Sequence, residues 1–232
     1  VVTQSPDAIG RLSCNPSIGG IAKGNIVREI DALGGEMGKI IDRSMIQFRM
    51  LNKSRGPAVQ APRSQADKIT YSQIARKTLE STPNLFTLMD TVIDILTTES
   101  STEIPPDSDS SAEIGTIPGE KRGNQNLNAG TNEKSDKNSG KKRRKITGIV
   151  TERGRIIPCR AVVLTTGTFL GGRIFIGEYD APCGRIGEPA AYGLTESLHK
   201  LGFTTGRLKT GTPPRILKST IDFSKLEENN GD

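Results

Sequence analysis

Apolar residues recur along this chain at two spacings, and the polar segments between them carry most of its chemistry. From Ala22 they fall at Ala22, Ile26, Ile30 and Leu33; these steps share one face of a helix, which Gly34-Gly35 closes. Met37, Ile40 and Ile41 continue at helical spacing, and Ile46 to Leu51 alternates enough for a short strand. A further helix is predicted from Ser64 to Ser81, capped by Ser64 with Asp67 three residues on and stopped at Pro83-Asn84. Leu85 to Met89 and Val92 to Leu96 read as strands, and Val1-Val2-Thr3 as the tail of one. Ile146 to Thr151, a turn at Arg153-Gly154 and Arg155 to Leu164 predict a hairpin that pairs with Val92 to Leu96. Within it, Ala161 to Leu164 is a fully apolar strand running straight into TTGTFLGG. The last helix places Leu194, Leu198 and Leu201 on one face and stops at Gly202.

Residues 97 to 145 follow neither spacing. They are rich in Ser, Thr, Asn, Gly and Asp and nearly free of large apolar side chains, so the expectation is a disordered insertion that enlarges a hairpin tip. Its charges are segregated. Residues 97 to 120 hold six acids and no bases, whereas 121 to 145 hold nine bases and two acids, ending in KKRRK at Lys141 to Lys145. That run is either an RNA-touching arm or a solvated charge cluster.

Composition narrows the class. A chain of 232 residues with 33% hydrophobic content can bury a real core. No stretch approaches the ~18 apolar residues of a membrane span, and no signal-peptide pattern opens the chain. Cys14, Cys159 and Cys183 are odd in number and lack CxxC spacing, so neither a disulfide framework nor a metal site is expected, and a reducing cytoplasm is. The single histidine, His199, falls on a surface helix. The net charge of +6 is only +1 within residues 97 to 145. The remaining +5 is compatible with a phosphate-bearing partner without requiring one. Nine aromatics and no Trp argue against a base-stacking platform.

The chemistry concentrates in Ser13 to Gly35. Cys14 precedes Asn15-Pro16, which hold the backbone extended or turned, and Gly19-Gly20 allow close backbone approach. A cysteine ahead of a helix start meets backbone N–H groups and the positive end of the dipole, which favour a reactive thiolate; the alternative is a small buried thiol. Lys53 to Arg63 is a basic loop with two prolines, either lining an anion site or simply solvated. Thr166-Gly167-Thr168 ends a buried strand with hydroxyls and bare backbone, where α/β folds collect nucleotides, or else forms a plain turn. PCGRIGEP, Pro182 to Pro189, leads into the last helix. In GRLKTGTPPRI, Gly206 to Ile216, Arg207, Lys209 and Arg215 project from a stiffened backbone as a grip for phosphates or carboxylates, or as an exposed basic loop. No GxGxxG and no P-loop occurs.

Four blocks in register, SCNPSIGGIAKGNIVREIDALGG, IQFRMLNKSRGPAVQAPRSQAD, VVLTTGTFLGG and GRLKTGTPPRI, resemble the MnmG (GidA) family of tRNA uridine 5-carboxymethylaminomethyl modification enzymes. The likeness spans the chain outside residues 97 to 145. It implies an α/β fold: a truncated Rossmann-like FAD-binding domain with a β-meander that carries a long disordered hairpin insertion. The domains expected are 1 to 98, the insertion at 99 to 145, and 146 to 232, where the FAD domain continues and a substrate domain begins. Both ends look cut, with the family's glycine-rich dinucleotide motif expected before Val1 and a helical domain after Asp232.

The resemblance further implies FAD reduced by NADH, methylenetetrahydrofolate as one-carbon donor, and glycine or ammonia as amine. Its partners would be tRNA and the GTPase MnmE, with a homodimer of the complete protein and a heterotetramer with MnmE. Cys14 matches the cysteine of the family's CNP motif, as nucleophile toward carbon 6 of the uridine. Asn15, Gly19, Gly20, Val92, Thr166, Gly167, Thr168 and Ala191 are the implied cofactor-binding positions; Ala191 stands where serine is common, so only its backbone serves. Arg63, Arg207, Lys209 and Arg215 are the implied tRNA or folate contacts. Two other classes stay open: an FAD- and folate-dependent tRNA uridine methyltransferase, which the CNPSIGG block disfavours, and a non-catalytic RNA-binding fragment.

Overall fold

The computed structural model describes residues 1–99 and 144–232. The chain opens with β1 (Val2–Thr3), β2 (Ser17–Gly19), α1 (Lys23–Ala32), α2 (Met37–Asp42), β3 (Met45–Leu51) and β4 (Ala61–Ala66). Next come α3 (Lys68–Glu80), β5 (Leu88–Met89), β6 (Val92–Thr97) and β7 (Ile146–Thr151). Then follow β8 (Ile156–Pro158), β9 (Ile174–Ile176), β10 (Tyr179–Ala181), β11 (Cys183–Arg185), β12 (Glu188–Pro189) and α4 (Leu194–Lys200).

Two three-stranded antiparallel sheets carry the fold, in the orders β2-β4-β3 and β6-β7-β8. The second is the predicted meander. Residues 100–143, which hold most of the expected insertion and of KKRRK, lie outside the described residues; Arg144 pairs with Glu99 at 2.7 Å at their edge. β1 pairs in parallel with β5, and β9-β10 and β11-β12 are small hairpins.

Each sheet has its own core. Ile18 of β2 and Ala66 of β4 pack with Ile40 and Ile41 of α2 and with Tyr71 and Ala75 of α3. Ile95 and Ile149 of the meander pack with Leu194 and Leu198 of α4. Full burial of one such Ile or Leu stabilises by about 1.5–3 kcal/mol, so α2 and α4 are each pinned by two apolar anchors.

Several elements differ from the sequence pattern. The predicted stripe of α1 faces outward: Ile26 and Leu33 are 57% and 90% exposed. The inner face is Gly24, buried against Pro62 and Ala61 of β4, with Val27 beside it; a glycine that brings a helix close leaves no hydrophobic signal. Ser64 does not cap a helix but sits buried in β4, and α3 starts at Lys68. Ala161 to Leu164 forms no strand, because it pairs with no strand among the described residues, and Val163 is 84% exposed. Ile46 to Leu51, the 37–42 helix and the 194–200 helix appear as expected.

Asp67 is the true cap of α3, its carboxylate accepting from the Ile69 and Thr70 amides at 3.1 and 2.7 Å. The Thr70 hydrogen bonds hold this carboxyl below its ordinary value of 3.8. A depressed carboxyl contributes stability that is complete above its unfolded pKa and is lost as pH falls through the folded one. Asp67→Ala is therefore expected to lower the melting temperature by a few degrees at neutral pH. The gap to the parent should close as pH drops below 3.8; a gap independent of pH in thermal scans would contradict the capping role.

Candidate active site

Cys14 is placed by a turn and a strap. The Ser17 amide donates to Asn15 O at 2.8 Å, turning the chain across Pro16 into β2, and Ala66 N donates to Pro16 O at 2.7 Å, tying that turn to β4. On its other side lies the extended segment around Gly211 to Arg215. Cys14 Sγ donates to Gly211 O at 3.3 Å, and Thr212 Oγ1 donates to Cys14 Sγ at 3.2 Å. Arg215 clamps the same spot, donating from Nη2 to Ser13 O at 3.2 Å and to Cys14 O, and from Nη1 to Pro213 O at 3.1 Å. The fold thus joins blocks some 200 positions apart in sequence around one half-buried thiol. In the chain, β2 and Gly20 to Ala22 stand between Cys14 and α1, and the side-chain hydrogen bonds described for the thiol are with Gly211 and Thr212.

Behind Cys14, Ser17 holds two more cations. Lys23 Nζ donates to Ser17 O at 3.0 Å and Arg63 Nε to Ser17 Oγ at 3.4 Å. Burial pushes the Lys23 ammonium below its ordinary value of 10.5. Neither cation, nor Arg215, is in an ion pair among the described residues, whereas Arg11, Arg76, Arg173 and Arg185 all are.

The two glycines differ. Gly19 has φ +114° and a Cβ there would lie 2.1 Å from Pro62 O, so its close approach is to β4. Gly20, at φ +94°, faces open space. Asn15 is exposed.

A cavity of about 760 Å³ gathers the other implied cofactor positions: Val92, Thr166, Gly167, Thr168 and Ala191 all line it, and Ser13 brings its rim next to Cys14. Asn15, Gly19 and Gly20 are not among its walls. Its volume is within the usual range for small-molecule sites. Ala191 contributes less than expected, because its N–H donates to Phe169 O and its carbonyl accepts from Gly171 N, both at 2.8 Å. Thr168 Oγ1 donates to Gly184 O at 2.8 Å, and Arg207 Nη1 to Gly171 O at 2.6 Å, so Arg207 braces the TTGTFLGG loop. Lys209 is exposed.

Sequence reasoning missed two residues of these walls and one cation behind Cys14. Asp90 is 6% exposed, and its Oδ1 accepts from the Thr91 amide at 2.8 Å while Oδ2 has no hydrogen-bond partner among the described residues. Burial opposes its charge, but the Thr91 amide with Thr151 and Arg153 outweighs this and holds it below 3.8. Arg185 lies over the Phe169 ring at 5.0 Å and pairs with Glu188 at 2.8 Å, which also takes Arg11 at 2.5 Å. Lys23 is the third; its only signal was a lysine just after the glycine pair.

The cavity suits a flavin nucleotide. Apolar walls from Val92, Ile149, Ile157 and Leu194 face hydroxyls and bare backbone at Thr166 to Thr168, and the orphaned Asp90 oxygen is a ready acceptor for a ribose hydroxyl or ring N–H. Asp90, Val92, Thr166 and Gly167, all in its walls, are the residues that would hold such a group.

The family model described as glucose inhibited division protein A matches residues 1–232. The chain is 53% identical over its whole length to the tRNA uridine 5-carboxymethylaminomethyl modification enzyme MnmG of Borrelia garinii subsp. bavariensis, and 52% identical to that of Treponema denticola. It spans 31% of the length of these curated relatives. Among solved structures, GidA of Aquifex aeolicus matches over the whole chain and 31% of its own length, with TM-score 0.74 and 42% identity.

Proposed function

The chain belongs to the glucose inhibited division protein A family, and from that membership we propose that it is part of an FAD-dependent enzyme that adds a carboxymethylaminomethyl or aminomethyl group to carbon 5 of a tRNA wobble uridine. The observation that supports this most is the meeting of Cys14 with the Gly211 to Arg215 strap beside the Val92 and Thr166 cavity. The curated relatives carry the name of that activity.

The protein's own part in the chemistry is covalent. The Cys14 thiolate adds to carbon 6, and the carbon 5–carbon 6 π pair moves to carbon 5, which becomes the nucleophile toward the one-carbon unit. Loss of the carbon 5 proton to a base then expels the thiolate and restores the double bond. These bond-forming steps are redox-neutral, because the one-carbon unit arrives at the aldehyde level and leaves carrying the amine; FAD, which Asp90, Val92, Thr166 and Gly167 would hold, would supply two-electron redox capacity at the site with NADH as its reductant. The one-carbon unit comes from methylenetetrahydrofolate and the amine from glycine or ammonia. Thr212 and Arg215 hold Cys14 in place, and Arg207 holds the cavity loop. MnmE is the partner, with the complete protein a homodimer and the pair a heterotetramer in the cytoplasm. The domain division is 1–98, 99–145 and 146–232.

Two measurements test this. Mixed with FAD and passed through gel filtration, the chain is expected to retain visible flavin absorbance, and Asp90→Leu to reduce the retained flavin about tenfold; a colourless parent would remove the cavity assignment. Nucleoside analysis of tRNA incubated with the complete protein that contains this chain, MnmE, FAD, NADH, the folate donor and glycine should show 5-carboxymethylaminomethyluridine. A 5-methyluridine product would assign the chain to methyl transfer instead.

A further inference from the structure

The sheet β2-β4-β3 carries a row of cations that the thiol chemistry does not use. Gly19 of β2, Arg63 of β4 and Arg49 of β3 are direct partners across the strands, so Arg63 and Arg49 lie side by side on one face. Like charges directly opposite each other in a sheet are destabilising. Arg63 reaches toward β2 and Ser17 Oγ, and Lys23 at the head of α1 bonds Ser17 O. None of Lys23, Arg49 and Arg63 is in an ion pair among the described residues; Asp232 is paired with Lys53 and feels the charge of Arg49 more weakly. Gly20 leaves the space beside this row open. Three cations, none of them in an ion pair among the described residues, therefore share this side of the sheet, over strands spaced at ~4.8 Å.

We propose that Lys23, Arg63 and Arg49 form a track for the phosphodiester backbone of the RNA whose uridine reaches Cys14. The assignment rests on the tRNA reading above and adds to it the element that seats the strand. A phosphate is the ligand of choice because it offsets the Arg63–Arg49 repulsion without a folded counter-ion, and a chain of phosphates matches a row of cations better than a single anion does. The proton inventory agrees: the Lys23 ammonium is disfavoured by burial with no carboxylate to offset it, and an arriving phosphate supplies that charge.

The test is fluorescence anisotropy of the 232-residue chain with an unmodified tRNA transcript at 50 to 200 mM salt. Lys23→Gln and Arg63→Gln are each expected to weaken binding roughly three- to tenfold and to reduce the slope of log affinity against log salt by about one. Lys23→Arg and Arg63→Lys keep the charge and should restore both. Lys77→Gln, on α3 away from the row, is the control and should match the parent. Slopes of the glutamine variants equal to that of Lys77→Gln would overturn the track while leaving tRNA binding intact. A parent that does not bind the transcript would overturn the tRNA reading and the track together. Displacement of the transcript by poly-glutamate at equal charge would assign the row to acidic proteins and overturn it as well.

Discussion

Cys14→Ser is expected to abolish formation of the modified uridine, by at least about a thousandfold in rate, while the flavin absorbance and the melting temperature stay at parental values. The substitution is nearly isosteric, and the serine hydroxyl can still donate to Gly211 O and accept from Thr212 Oγ1, the two bonds that hold the thiol. What it removes is the nucleophile: an unactivated hydroxyl is a far weaker nucleophile than a thiolate toward carbon 6. Flavin binding is insulated because Cys14 is not among the cavity walls; Ser13 is the neighbour that is. Nucleoside analysis and the visible spectrum of the same sample separate the two effects. Parental levels of modified uridine from the serine variant would sink the assignment of Cys14, whatever the flavin does.

How much of this was legible in the sequence depends on what each residue signals. α2, α4 and the meander were readable because their anchors are large and periodic: Ile40 and Ile41, Leu194 and Leu198, Ile95 and Ile149. α1 was placed correctly, but its buried face was not, since Gly24 makes the contact and the isoleucines face outward. Ser64 and Asp67 are equally good caps on paper; β4 claims Ser64 through its pairing with Ile18 and Phe48, which is long-range information. In the site, the blocks were readable and their meeting was not. Nothing local to Cys14 indicates that Thr212 and Arg215 close over it. Arg207 is the converse case. Read as a substrate contact, it spends a guanidinium N–H on Gly171 O and braces the loop. Asp90 and Arg185 escaped notice because single acids and arginines are common on surfaces, and only burial marks them as unusual.

Gly19→Ala and Gly20→Ala should separate by about 1–3 kcal/mol although the residues are adjacent and both have positive φ. Both variants incur the backbone cost of a side chain at φ +114° or +94°, about 1–3 kcal/mol. Gly19 meets a second obstacle. Its Cβ would lie 2.1 Å from Pro62 O and 2.8 Å from Arg63 Cα, both backbone of β4, so no rotamer change relieves it and β2 must move away from β4. That movement breaks the pairing of Ile18 with Ser64 and unseats Ile18, 3% exposed, from the first core. Overpacking of this kind adds about 1–3 kcal/mol, against a total stability of about 5–15 kcal/mol. For a chain of this length each kcal/mol moves the melting temperature by about 2–4 °C. Gly19→Ala should therefore melt roughly 10 °C or more below the parent, and Gly20→Ala only a few degrees below. Because β2 carries Ser17, and Pro16 ties Cys14 to Ala66, the Gly19 variant should also lose uridine modification at temperatures where it is still folded. Equal melting shifts for the two variants would mean that β2 does not lie against β4 as described.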